Sequence, residues 1–130
     1  MKCCIGNKYG TFDFSKTGKG FFVQRLCAEL EKLGIQTTAD PKEKVDIDMQ
    51  ISHMAYWPEN ARKRILRRGP VKYDTNMDYK KSNHEDHKYM KQCHGVVYQS
   101  EFSKRMNDAF LGEPKESQKW AIIFNGADPE

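Results

Sequence analysis

No stretch of this sequence approaches the roughly 20 apolar residues needed to cross a membrane as a helix. Its longest apolar run is five residues, Trp120–Phe124, and others, such as Val96–Tyr98, are shorter. The start, Met1-Lys2-Cys3-Cys4-Ile5-Gly6-Asn7, lacks a hydrophobic region of signal-peptide length, so the expected location is the cytoplasm. The four cysteines, Cys3, Cys4, Cys27 and Cys93, show neither C-x-x-C pairing nor the density of a small secreted scaffold, and read as buried free thiols. No nucleophile elbow or Ser-His-Asp order is present, which removes support for hydrolase chemistry. Repeats and low-complexity linkers are also missing.

What remains is enough for one folded core. The chain has 130 residues, 38% hydrophobic, with seven Phe, six Tyr and two Trp, which exceeds what a disordered tail carries but falls short of two independent cores. Lys and Arg outnumber Asp and Glu by 22 to 18, a mild excess that does not by itself indicate nucleic acid.

Lys2–Ile5 reads as a first strand leading into a polar, glycine-punctuated loop from Gly6 to Gly20, expected to be mobile without ligand. Phe22, Leu26, Leu30 and Leu33 then repeat with helical spacing, widened by Val23 and Cys27, and Gly34 supplies the left-handed residue past the helix end. Ile35–Thr38 reads as a strand. Val45, Ile47, Met49 and Ile51 alternate with Asp46, Asp48, Gln50 and Ser52, the pattern of a strand with one buried face, near a sheet edge.

Trp57-Pro58-Glu59 is expected to open a helix closed by Gly69-Pro70, with Arg62, Lys63, Arg64, Arg67 and Arg68 on it. Val71–Tyr73 is a short strand candidate. Ser82 and Glu85 have capping-box spacing for a helix reaching Cys93, Val96–Tyr98 reads as a strand, Ser100 caps a helix ending before Gly112, and Trp120–Phe124 is the last strand. This alternation predicts an α/β domain: a three-layer Rossmann-like fold with a mostly parallel sheet of about six strands, in the order 3-2-1-4-5-6. The expected core includes Val23, Leu26, Leu30, Ile47, Ile51, Val97, Phe102, Phe110, Ile122 and Phe124.

Ligands of such sheets bind outside the carboxyl ends of the strands. That rule selects Gly18, Lys19 and Gly20, then His53, Asp74, Ser100 with Glu101, and Asn125. Two readings fit Gly18-Lys19-Gly20: amides and a cation facing a phosphate at a helix N-terminus, or an ordinary loop feeding the helix. It is not a P-loop, since the Gly10–Gly18 spacing is too long and no Ser or Thr follows Lys19, and not a dinucleotide fingerprint, since Val23 stands in the third glycine's place. His84, His87, Cys93 and His94 suit zinc by type, but without paired cysteines a solvated helix is the better reading and no metal is expected. The Arg62–Arg68 cluster suits an anionic membrane surface or a plain soluble helix face; nucleic acid is not expected.

Gly95-Val96-Val97-Tyr98-Gln99-Ser100-Glu101-Phe102-Ser103-Lys104 and Ala121-Ile122-Ile123-Phe124-Asn125-Gly126-Ala127-Asp128-Pro129 resemble, in order, the amino-terminal half of GT-B glycosyltransferases of the retaining family-four type. Ser52-His53 and Val71-Lys72-Tyr73-Asp74 agree in outline, although Thr75 follows Asp74 where the family often has Gly. The resemblance implies one acceptor-side domain over residues 1–130, without the carboxyl-terminal donor-binding domain. It implies transfer of a hexose or related sugar from a nucleotide-sugar, which is a substrate and no resident cofactor, to a sugar-bearing acceptor once a donor domain is supplied by another chain. By that analogy Gly18, Lys19 and Gly20 approach the donor phosphates, His53 and Asp74 are the catalytic candidates, and Ser100, Glu101 and Asn125 line the acceptor side. The alternative is a non-catalytic Rossmann-like interaction domain, binding a partner chain or a second copy through exposed apolar residues near Trp57, Tyr79 and Trp120. A nicotinamide-dependent reductase is the weaker alternative, because the fingerprint is incomplete.

Overall fold

A computed structural model of the chain describes residues 1–5, 18–40, 42–52, 61–68, 71, 76 and 78–124. The elements are β1 (Lys2–Ile5), α1 (Gly18–Lys32), β2 (Gln36–Thr38), β3 (Val45–Ser52), β4 (Ala61–Arg68), α2 (Tyr79–Met90), β5 (Gly95–Tyr98), α3 (Glu101–Phe110) and β6 (Lys119–Ile122). The six strands form one sheet in the order β2-β1-β3-β4-β5-β6, and every neighbouring pair is parallel. No described helix is long and apolar enough to cross a membrane.

Helix α1 forms where the apolar spacing demands it and stops where Gly34 permits. Gly34 adopts φ +79°, its N–H donates to Glu31 O at 2.9 Å, and the Ile35 N–H donates to Leu30 O at 2.9 Å. These two bonds close a Schellman turn and satisfy carbonyls the helix leaves open. The Leu33 side chain points out, 76% exposed.

In a parallel sheet, residues in register share a face, which sorts the core into two layers. Cys3, Ile5 and Ile51 meet Val23 and Cys27 of α1 on one face. Leu66, Val96 and Tyr98 meet Met90 and Cys93 on the other. Since Gln50 is in register with Leu66 and Ile51 with Arg67, the clusters lie on opposite sides, giving a three-layer α/β domain.

Several expectations need correction. β1 lies between β2 and β3, so the order 3-2-1-4-5-6 does not hold. Only six residues, 39–44, separate β2 from β3, and Asp40 among them lies against β1 on the face opposite α1. There the Cys4 thiol donates to Asp40 O at 3.8 Å. Residues 61–68, expected on a basic helix, form β4 in the sheet interior, and β3 is equally central, with Asp48 and Gln50 fully buried. Helix α2 begins at Tyr79 behind Asp78, whose side chain accepts from Lys81 N at 3.1 Å, so Ser82 lies inside the helix. The Ser100 cap stands, its Oγ accepting from Ser103 N at 3.0 Å. Helix α3 turns Asn107 inward, and Phe102 and Phe110 are each 65% exposed, as Phe124 is at 68%. Val71 is buried but outside any strand, and the rest of that strand candidate and the Trp57-Pro58-Glu59 helix start fall outside the described residues.

Candidate functional site

Because all strands run the same way, the connections leaving their carboxyl ends meet along one edge of the sheet. The start of α1 lies on that edge. Gly18, Lys19 and Gly20 form its first turn, where a loop was expected, and no acidic residue sits there to offset the helix dipole. The first amides of such a turn have no intrahelical acceptor.

Beside it, Arg67 comes from the end of β4 on the same face of the sheet as α1. Its guanidinium lies over the Phe22 ring, 4.0 Å from the centroid, and the residue is only 8% exposed. Burial pushes its pKa below the usual arginine value, yet a guanidinium retains its proton in proteins. One cation is thereby held against the opening turns of α1 by an aromatic face, where a flexible surface lysine would need ordering.

Its neighbour Arg68 faces the opposite layer. Nε donates to Asn107 Oδ1 at 2.9 Å, Asp86 Oδ2 lies 3.6 Å from Nη1, and the Arg68 carbonyl accepts from Gln99 Nε2 at 3.2 Å. This arginine clasps α2 and α3 to β4 immediately below the edge. Ser100 and Glu101 open α3 three strands from β1, a separation of about 14 Å, and on the face away from α1. The Ser100 Oγ already accepts the capping bond, while Glu101 is exposed in the first turn, where an acid suits the dipole. The structure thus joins the α1 turn to Arg67 and keeps Ser100 and Glu101 apart from them. His53, Asp74 and Asn125 lie outside the described residues.

The histidine and cysteine cluster disperses among separate partners. His94 Nδ1 accepts from Arg64 N at 3.1 Å, Cys93 Sγ donates to Tyr89 O at 3.4 Å, and His87 packs against Gly112. Burial lowers the His87 pKa, helped by Lys91, His84 and Arg68. Among the described residues no group of three or more potential metal ligands forms. The basic helix proposed for a membrane surface does not exist: Arg67 and Arg68 are buried in a strand, while Arg62 reaches Asp46 at 3.8 Å. A hollow of about 470 Å³ opens beside β2 and the Lys2–Glu43 ion pair, away from the carboxyl edge.

Arg67 was missed by sequence reasoning because its run of basic residues was assigned to a helix. The available signal was Ile65-Leu66 directly ahead of it, a short apolar pair of the kind that sits inside a sheet. No protein-family model matches the chain, and no curated protein sequence matches it.

Proposed function

We propose that the chain is the acceptor-side, Rossmann-like half of a nucleotide-sugar glycosyltransferase, competent for transfer only with a donor-binding domain. The observation that carries this reading is the pairing of an α1 first turn that itself contains no acidic residue with the buried Arg67 cation at the sheet's carboxyl edge. A departing nucleoside diphosphate develops negative charge, and fixed amides and a guanidinium offset that charge without reorganising. Gly18, Lys19 and Gly20 contribute backbone amides to this turn. His53, Asp74, Ser100, Glu101 and Asn125 are the candidates for holding the acceptor hydroxyl against the anomeric carbon, a matter of positioning more than of acid strength.

A sugar-transfer assay tests the reading. The chain is incubated with UDP- or GDP-sugars and acceptor glycans, alone and with a separately expressed donor-binding domain. Turnover is expected only in the mixture, and turnover by the lone chain would contradict the half-site assignment. A second reading, an interaction domain, is favoured by one feature: Phe102, Trp120, Ile123 and Phe124 are all more than half exposed.

A further inference from the structure

The two edges of the sheet are built differently. β2 ends it with three residues, Gln36–Thr38, short and polar, the usual protection against pairing with another chain. β6 ends the other side with Lys119-Trp120-Ala121-Ile122, and Ile123-Phe124 follow directly. Lys119 is its single charge. Trp120, Ile123 and Phe124 are 52%, 57% and 68% exposed, so among the described residues this edge is both open and apolar.

The backbone bonds show which groups are free for pairing. Lys119 N donates to His94 O at 3.2 Å and Ile123 N to Tyr98 O at 2.9 Å, so the odd positions face β5. Strand alternation turns the N–H and C=O of Trp120 and Ile122 toward the open edge, with Phe124 next in that row. We infer that this edge pairs antiparallel with β6 of a second copy of the chain, about a two-fold axis at Ile122, extending the sheet across the dimer.

That register follows from the side chains. Opposed residues of an antiparallel pair share a sheet face, so odd must meet odd and even must meet even. Centring on Ile122 sets Trp120 against Phe124 of the partner subunit, Ile122 against its own copy, and Ala121 against Ile123 of the partner subunit. Every opposed pair within residues 120–124 is then apolar, and the outward N–H and C=O groups fall into hydrogen-bonded pairs. Shifting the axis to Ala121 would set Lys119 against Ile123 and Gln118 against Phe124, burying a charged or amide side chain against an apolar one. Trp120 is already seated for this role, its ring edge-on to Tyr98 at 6.5 Å and covered by Lys104 Nζ at 4.3 Å. The inference is independent of sugar transfer.

Sedimentation and light scattering of the full chain from ~1 µM to ~1 mM, a range spanning weak to moderate association, test it together with amide hydrogen exchange. The mass is expected to rise from 15.2 kDa toward twice that value. Over the same range the Trp120, Ile122 and Phe124 amides should gain protection, while those of Lys119 and Ile123 change little because β5 already holds them. Phe124→Lys, at an exposed position, should weaken association at least ~10-fold, and Phe124→Pro, which removes an outward N–H, should do the same. A monomer throughout, a dimer without the alternating protection, or a dimer indifferent to both substitutions overturns the inference.

Discussion

Arg68 and Asn107 are joined by a hydrogen bond shut away from water: Nε donates to Oδ1 at 2.9 Å, and the residues are 1% and 0% exposed. Asn107 Nδ2 in turn donates to Ser103 O at 2.8 Å, so the amide is oriented before it meets the arginine. A buried guanidinium without partners is far more costly than one that is clasped, which makes this contact a determinant of where α3 sits. Asn107→Ala should therefore destabilise the fold by about 1.5–3 kcal/mol, measured by urea unfolding. A loss below about 0.5 kcal/mol, the range of an ordinary surface change, would show that the clasp contributes little.

Two glycines with positive φ should respond differently to substitution. At Gly112, φ is +110° and an added Cβ would stand 3.0 Å from His87 Cε1. At Gly34, φ is +79° and nothing lies within 4 Å. Gly34→Ala should cost about 1 kcal/mol from backbone strain alone, and Gly112→Ala more than that, about 2–3 kcal/mol, because the His87 ring must also move. Equal losses in thermal or urea unfolding would contradict the close approach.

Asp48 is wholly buried, and desolvation raises its pKa above the ordinary carboxylate value, against the opposing pull of Gln50, the Cys4 thiol and Arg64. Between the unfolded and raised folded pKa, the native state binds more protons than the unfolded state. Stability from this group therefore falls as pH rises through that window and stays reduced above it. Asp48→Asn should flatten this dependence and improve stability relative to the parent more at pH 7 than at pH 4. A larger relative gain at pH 4 would contradict the sign.

All four thiols are buried and unlinked. Burial pushes Cys3 up to about 12 and Cys93 up to about 11, leaving almost no thiolate at pH 8. A disulfide-exchange reagent at pH 8 should label none of the four within minutes in the native protein and all four in denaturant. Rapid native labelling of Cys3 or Cys93 would contradict the packing of both sheet faces.

Local rules made much of this fold legible. The Phe22–Leu30 helix, Gly34, the Ser100 cap and the existence of a strand from Val45 each depend on neighbours in sequence, and each appears where expected. β4 was illegible for the opposite reason. A strand reading Ala-Arg-Lys-Arg-Ile-Leu-Arg-Arg looks solvated until Phe22, Asp86 and Asn107, all distant in sequence, supply partners for its last two arginines. Asp48 was likewise read as facing water, because the Cys4 and Arg64 groups that meet it come from the two neighbouring strands. Phe102 marked a plausible buried face of α3, but the Arg68–Asn107 bond turned that helix the other way. At the candidate site, the glycines marked the approach to α1 although its first turn, Gly18–Gly20, was read as loop, whereas Arg67 depended on knowing that its segment is a strand.

The most direct test of the proposed function is titration of the chain with UDP- and GDP-sugars, followed by backbone amide NMR shifts. A half-site offering one helix N-terminus and one guanidinium should bind at about millimolar, equivalent to roughly 4 kcal/mol, with the largest shifts over Gly18–Phe22 and at Arg67. Arg67→Ala should abolish those shifts while the rest of the spectrum is retained. Submicromolar binding centred on Gly18–Gly20, or no shift there at millimolar donor, would contradict the account.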